Sequence, residues 1–342
     1  MQEWQTTTRV GTYHFARVVN DEVDVVVCNY GAMLYDLKTK DAQGQWQSIV
    51  MQFASLDDYQ NNPLYLNAVV GPVAGRIQGA SYSLKGQTVR LQANHLQTES
   101  LHSGDESLAF QWWEIERVPS GVVCRFEKPS GPSQFPGHQR YEVHYSLDGH
   151  SLRVDFYATT TEDTLVNLTH HAYFNLSGNL SRDILNHQLF IRSTHALRLN
   201  EKFSPVGVEP VPPFLDFSRF DTLAHHLTTE VDRLPTQGID HPLLLTPNNE
   251  APSVVLFDPV STRSMSVYTT YPCVVVYTHN HPGPQPLKHV NGHPRRFGIC
   301  LETQYEPNGI HVDGLHSAVL RAGESYHHQT RFEFALRRPS IK

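Results

Sequence analysis

Reactive side chains are concentrated in a few short segments. The run Asn167–Gly178 (NLTHHAYFNLSG) sets two adjacent histidines and two asparagines among apolar residues. Leu301–Pro307 (LETQYEP) puts Glu302 directly after the apolar run Gly298–Leu301. Gly71–His102 holds GPVAGRIQGASYSL and closes in an SLHSG turn, and Asp240 in GIDHPLLL is a fourth, weaker point. Buried polar groups cost free energy unless paired, so packing alone gives no reason for the histidine–asparagine pattern. With ordinary pKa values of about 4.3 and 6.5, a glutamate is ionised near neutrality and a histidine needs only a small upward shift to stay protonated. Successive strand residues face opposite sides, so His170 and His171 must diverge if the run is extended, and only one can serve a given pocket. Taken singly, His102 reads as a hydrogen-bonded structural histidine and Glu302 as an edge-strand charge. The 21 histidines as a set make a histidine-based active site or metal site worth testing. His279-Asn280-His281 has the spacing of a metal-binding β-barrel, but Pro282–Leu287 offers no acidic ligand, so these read as surface-loop histidines.

The elements that must position these residues are strands. Asp24–Leu37 is rich in β-branched residues, and Tyr141–Ala158 alternates apolar and polar residues on both sides of Asp148-Gly149, a hairpin signal. Further strands are expected at Ser253–Phe257, Ser264–Thr269, Cys273–Thr278, Gly298–Thr303 and Thr330–Leu336. Helix signals are few: a short turn over Ser55–Gln60 with Ser55 as cap, and a segment within Ser218–Val231, where Leu223, Leu227 and Val231 are four apart. The proline-rich stretch Pro205–Pro213 reads as a long surface loop. With no βαβ rhythm, no glycine-rich phosphate loop and no internal repeat, the pattern predicts an all-β chain. It is expected to form one large antiparallel β-sandwich with few short helices, a single domain over residues 1–342.

Composition narrows the partners. A net charge of -7, from 27 Lys+Arg against 34 Asp+Glu, argues against nucleic acid and anionic membranes. The densest basic pairs, Arg295-Arg296 and Arg337-Arg338, read as solvated faces. Met1–Val10 is polar, which predicts no secretory leader, and no stretch approaches the roughly 20 apolar residues of a membrane helix. A soluble cytoplasmic protein, monomer or homodimer, is expected. Cys28, Cys124, Cys273 and Cys300 lie in apolar runs with no paired spacing and read as buried, reduced strand residues.

In order along the chain, GRIQG (Gly75–Gly79), LHSG (Leu101–Gly104), THHAYFNL (Thr169–Leu176), GIDH (Gly238–His241) and ETQ (Glu302–Gln304) resemble the motifs of the aldose 1-epimerase (galactose mutarotase) family. QFPGH (Gln134–His138) is similar to that family's aromatic-Pro-Gly segment, and the likeness runs from about Gly31 to Phe334. The resemblance implies the galactose mutarotase-like supersandwich and an enzyme that interconverts the α and β anomers of a free monosaccharide or reducing disaccharide. It implies Glu302 as general base at the anomeric hydroxyl and His171 as general acid at the ring oxygen. Arg76, His102 and Asp240 would bind sugar hydroxyls, with no metal and no cofactor.

The implied reaction suits those residue types. Opening a hemiacetal removes a proton from O1 and delivers one to the ring oxygen. A carboxylate and an imidazolium on opposite sides of the sugar would do both. Glu302 would be ionised near neutrality, and a neighbouring carboxylate such as Asp240 would lift His171 enough to keep it protonated. The chain departs from the family pattern at Pro72, where an arginine is common, and at His170 (Asn), Ser103 (Gly), Gln134 (an acid) and His311 (Asn). A hexose-6-phosphate 1-epimerase would need several converging basic residues, and Arg76 is the only arginine in a motif. A glycosidase built on Asp240 and Glu302 leaves His171 without a role. A non-catalytic sugar-binding protein of the same fold would be expected to have lost Glu302 or His171.

Overall fold

The computed structural model describes residues 2–131, 133–248 and 250–339. Alternating sequence becomes strand almost wherever it occurs. Gln139–Asp148 buries Tyr141, Val143 and Tyr145 and turns the residues between them outward. It pairs with Ser151–Thr160, Asp148 standing opposite Ser151. The two-residue loop is therefore Gly149-His150, one position beyond the expected Asp148-Gly149. Gly149 takes φ +52, which its missing Cβ permits.

Three antiparallel sheets carry the fold. The N-terminal one is a five-stranded meander from Gln2–Thr7 to Trp46–Ser48. The largest has nine strands, with the C-terminal strand Ser325–Ala335 at its centre, between Ser151–Thr160 and Ser264–Thr269. The third has six strands, labelled in chain order: β1 (Tyr173–Phe174), β2 (Ser193–Leu199), β3 (Pro205–Pro210), β4 (Asp240–Leu245), β5 (Cys273–Tyr277) and β6 (Ile299–Gln304). Their spatial order is β1-β6-β5-β4-β2-β3.

One continuous core joins the sheets. Leu243, Val274, Val276, Ile299 and Leu301 of the six-stranded sheet belong to the same buried cluster as Val143, Phe156, Val267 and Phe332 of the nine-stranded one. Val25 and Leu37 of the meander join it. This is the expected β-sandwich. With period two, the face of the third sheet away from this core carries Asp240, Pro242, Val275, Tyr277, Cys300, Glu302 and Gln304, and there the reactive residues collect.

Most expected elements are present within a few residues of their predicted ends. Ser55 caps a 3-10 turn over Leu56–Tyr59 by accepting from the Asp57 amide. Ser218–Val231 yields two single turns, Leu223–His226 and Thr229–Asp232, rather than one helix. Pro205–Pro213 is not a loop throughout, because Pro205–Pro210 is the edge strand β3, paired only with β2. Proline cannot donate to a ladder, and the edge of a sheet is where that defect is tolerated. The four cysteines are free, buried strand residues, as expected. His279 is buried rather than a surface residue, its ring edge-on to Tyr173, while His281 stays on the surface at a cavity mouth. Among the described residues no helix is long and apolar enough to cross a membrane.

Candidate active site

Strand β6 supplies the chemistry. It is buried along its whole length, and its alternation sends Cys300, Glu302 and Gln304 to one face. The ladders set their neighbours. Glu302 stands opposite Val275 on β5, and Val275 opposite Pro242 on β4. One register over, Cys300 stands between Tyr277 and Tyr173, and Tyr277 faces Asp240. The floor thus has an apolar row leading to Glu302 and a polar row running from Asp240 to Tyr173.

His171 enters from a crossing segment. Thr169–His170 pairs with Val69–Val70, and β1 resumes at Tyr173 against β6. Between them the His171 amide donates to the Ala68 carbonyl at 2.9 Å, and the His171 carbonyl accepts from Asn67 at 3.0 Å. The two histidines diverge as expected. His171 Nε2 lies 3.3 Å from Glu302 Oε1, and its Nδ1 lies 3.5 Å from Cys300 Sγ. His170 turns into the core, edge-on to the Tyr145 ring, and neither of its ring nitrogens has a hydrogen-bond partner. The two asparagines of this run brace the backbone. Asn167 bonds the Tyr305 amide and carbonyl, and Asn175 donates to the carbonyls of Arg182 and Phe297.

The opposite wall comes from the first motif and the turn at Leu101. Arg76-Ile77 pairs with Ser100-Leu101, and Gly75 and His102 extend the ladder. The His102 amide donates to the Gly75 carbonyl at 3.0 Å, and the Gly75 amide donates to His102 Nδ1 at 3.1 Å. That second bond fixes Nδ1 as the acceptor nitrogen. Arg76 then reaches across to Asp240, Nη2 to Oδ2 3.1 Å, with its guanidinium over the Phe203 ring. All five residues singled out from the sequence, Glu302, His171, Arg76, His102 and Asp240, line one cavity of about 230 Å³.

Burial sets the electrostatics. Glu302 and His171 are 3 % and 6 % exposed. Loss of solvent pushes the Glu302 carboxyl well above its ordinary value; Asp240 adds to the rise and Arg76 opposes it. The same loss lowers His171 to about 4, with Asp240 raising it too weakly to compensate. His102 is driven well below its ordinary value by burial, reinforced by His171 and Arg76. Burial thus works against both charged forms expected here, the ionised glutamate and the protonated imidazole. The two groups lie side by side on the cavity wall, 3.3 Å apart.

The donor atoms of His171, Cys300 and Glu302 lie within 4.8 Å of one another, close enough for a cation. His171, however, turns one ring nitrogen to the thiol and the other to the carboxylate. These lie on different edges of the ring, so the imidazole sits between the thiol and the carboxylate instead of converging with them on one point, as a coordination sphere requires.

Several lining residues escaped the sequence reading. Val275, Tyr277 and Gln304 follow from the alternation of β5 and β6 once a register is known. Tyr65 and Phe203 sit on loops at φ +50 and +64 and carry no periodic signal. Of the departures from the family pattern, none lines the cavity. Ser103 holds the left-handed conformation that suits glycine, φ +70, and its hydroxyl bonds both the amide and the carbonyl of Val73. Gln134 accepts from the Gln92 amide, and His311 bonds Asn308.

Residues 16–333 match the aldose 1-epimerase family profile. The chain belongs to the aldose 1-epimerase family. It is 33 % identical over 330 residues to a galactose mutarotase of Mus musculus, covering 95 % of each chain. To an aldose 1-epimerase of Escherichia coli it is 28 % identical over 318 residues, 91 % of each. The fold is shared with an aldose epimerase homologue from C. elegans at a TM-score of 0.86 and 22 % identity, covering 95 % of this chain and 99 % of the other. Family members thus span this chain almost end to end.

Proposed function

We propose that this chain is an aldose 1-epimerase, an isomerase that interconverts the α and β anomers of a free monosaccharide. Glu302 and His171 exchange the protons, and Arg76, His102 and Asp240 hold sugar hydroxyls. The observation that carries the reading is the 3.3 Å contact between Glu302 and His171 on the wall of a shared cavity. O1 and the ring oxygen of a cyclic aldose are bonded to the same carbon, so the groups that serve them must be near neighbours.

The pair shares one transferable proton. With that proton on the imidazole, Glu302 takes the proton of the O1 hydroxyl while His171 protonates the ring oxygen, and the bond from C1 to the ring oxygen breaks. The products are the open-chain aldehyde, a neutral carboxylic acid and a neutral imidazole, which are the forms that burial favours. Rotation about C1–C2 presents the other face of the carbonyl. His171 then takes the proton of the closing hydroxyl, and Glu302 returns a proton to O1. Each positioned acid or base contributes roughly 10²–10⁴-fold to such a step.

A free sugar is supported over a phosphorylated one. Arg76 is the one arginine or lysine lining the cavity among the described residues, and Asp240 already engages it. A phosphate would meet no uncommitted guanidinium there. The four buried thiols suit a reducing compartment such as the cytoplasm.

The test is polarimetry on freshly dissolved α-D-galactose and α-D-glucose. The protein should speed the approach to anomeric equilibrium and Glu302→Gln should not. No acceleration of either sugar would sink the proposal.

A further inference from the structure

Gln304 is fully buried, lines the cavity two residues beyond Glu302, and leaves both Oε1 and Nε2 without a hydrogen-bond partner. An amide in that state costs free energy that the fold could avoid with a leucine. The other polar groups on the wall are largely engaged. Arg76 holds Asp240, Glu302 meets His171, and His102 Nδ1 accepts from Gly75. Gly75 packs against Pro307 beside this amide; a Cβ there would lie 2.7 Å from Pro307 and 3.7 Å from Gln304 Nε2.

From this we infer that Gln304 is a specificity-determining residue that hydrogen-bonds the hydroxyl on the carbon next to the anomeric centre, O2 of an aldose. The inference rests on the epimerase reading above. Along β6 the order is Cys300, Glu302, Gln304, and Cys300 is the member that contacts His171. Gln304 therefore lies on the side of Glu302 away from Cys300. The sugar has the matching order: ring oxygen, C1 with O1, then C2 with O2. Setting the ring oxygen at His171 and O1 at Glu302 brings O2 towards Gln304. An amide offers an acceptor and a donor side by side, so it can both receive the O2 proton and donate to the O2 lone pair.

The test measures kcat/KM by polarimetry for α-D-glucose and 2-deoxy-α-D-glucose, with 6-deoxygalactose against galactose as a control position. Wild type should prefer the 2-hydroxyl sugar by roughly tenfold, the worth of one buried hydrogen bond. Gln304→Leu should lose that factor on glucose and galactose and keep full activity on the 2-deoxy sugar, erasing the preference at C2 alone. Gln304→Met serves if the leucine variant fails to fold. A variant that loses activity equally on glucose and 2-deoxyglucose, or a wild type indifferent to the 2-hydroxyl, overturns the assignment while leaving the epimerase reading intact. Absence of wild-type turnover on every sugar overturns that reading and this one together.

Discussion

Glu302 stands directly across the ladder from Val275 and meets His171 at 3.3 Å. An apolar neighbour on one side and an imidazole on the other make the carboxyl a proton donor and acceptor rather than a fixed charge.

Replacing either member should stop proton exchange without disturbing the fold. Glu302→Gln keeps the shape and loses the exchangeable carboxyl, and His171→Gln does the same for the ring. Each is expected to lower kcat by roughly 10²–10⁴-fold, with a melting temperature close to that of wild type. Polarimetry and thermal melts on the same preparations check this, and unchanged activity in both variants would refute the assignment.

The pH profile should show the pair acting as a unit. Burial holds His171 at about 4 and Glu302 well above its ordinary value. The active state carries one transferable proton. As pH falls through about 4 a second proton binds and removes the base; as pH rises past the Glu302 value the proton is lost and no acid remains. Activity in kcat/KM is therefore expected to show an acid limb near pH 4 and a basic limb displaced upward from the ordinary carboxylate range. An acid limb centred at 6.5 would mean a solvated, ordinary histidine and would contradict the neutral pair.

Arg76 and Asp240 are both mostly buried and bonded at 3.1 Å, so each is the other's main compensation. Arg76→Gln and Asp240→Asn should each raise KM more than they lower kcat, because neither group exchanges a proton with the reacting atoms. In a double-mutant cycle the pair should be non-additive, the double variant losing little beyond the worse single one. Additive losses would show two independent contacts with sugar.

The fold was legible because alternation dictates which residues face the core, and Tyr141–Ala158 or Ser264–Thr269 need little else. The errors have local causes. Proline marked Pro205–Pro210 as loop, although an edge strand accepts it. His279 looked exposed because nothing in THNH reports the packing of Tyr173 against it. The five chemical residues were found through motif order, yet the pull of burial on Glu302 and His171 was not legible, because Val275 beside Glu302 is a fact of strand register rather than of sequence. Phe203 over Arg76 depends on a loop with positive φ and had no signal to read.

His170 supplies the last prediction. Its ring is buried in the core with both nitrogens unpartnered, and burial lowers its pKa to about 3. The folded protein thus holds the ring neutral at pH values where the unfolded chain, near 6.5, binds a proton. Stability from this source is complete above about 6.5 and is lost as pH falls towards 3, at about 1.4 kcal/mol per unit. His187 and His279, held at about 4 by the same cause, add to the acid loss. His170→Phe keeps a planar ring beside Tyr145 and removes the unpaired nitrogens, so it should stabilise the fold by about 1–3 kcal/mol at pH 7. The gain should grow at pH 4.5, since the wild type alone loses this contribution there, while kcat stays at the wild-type value because His170 faces away from the cavity. Urea unfolding at the two pH values measures both terms. A gain that does not increase on acidification would mean that the ring is not held neutral by burial.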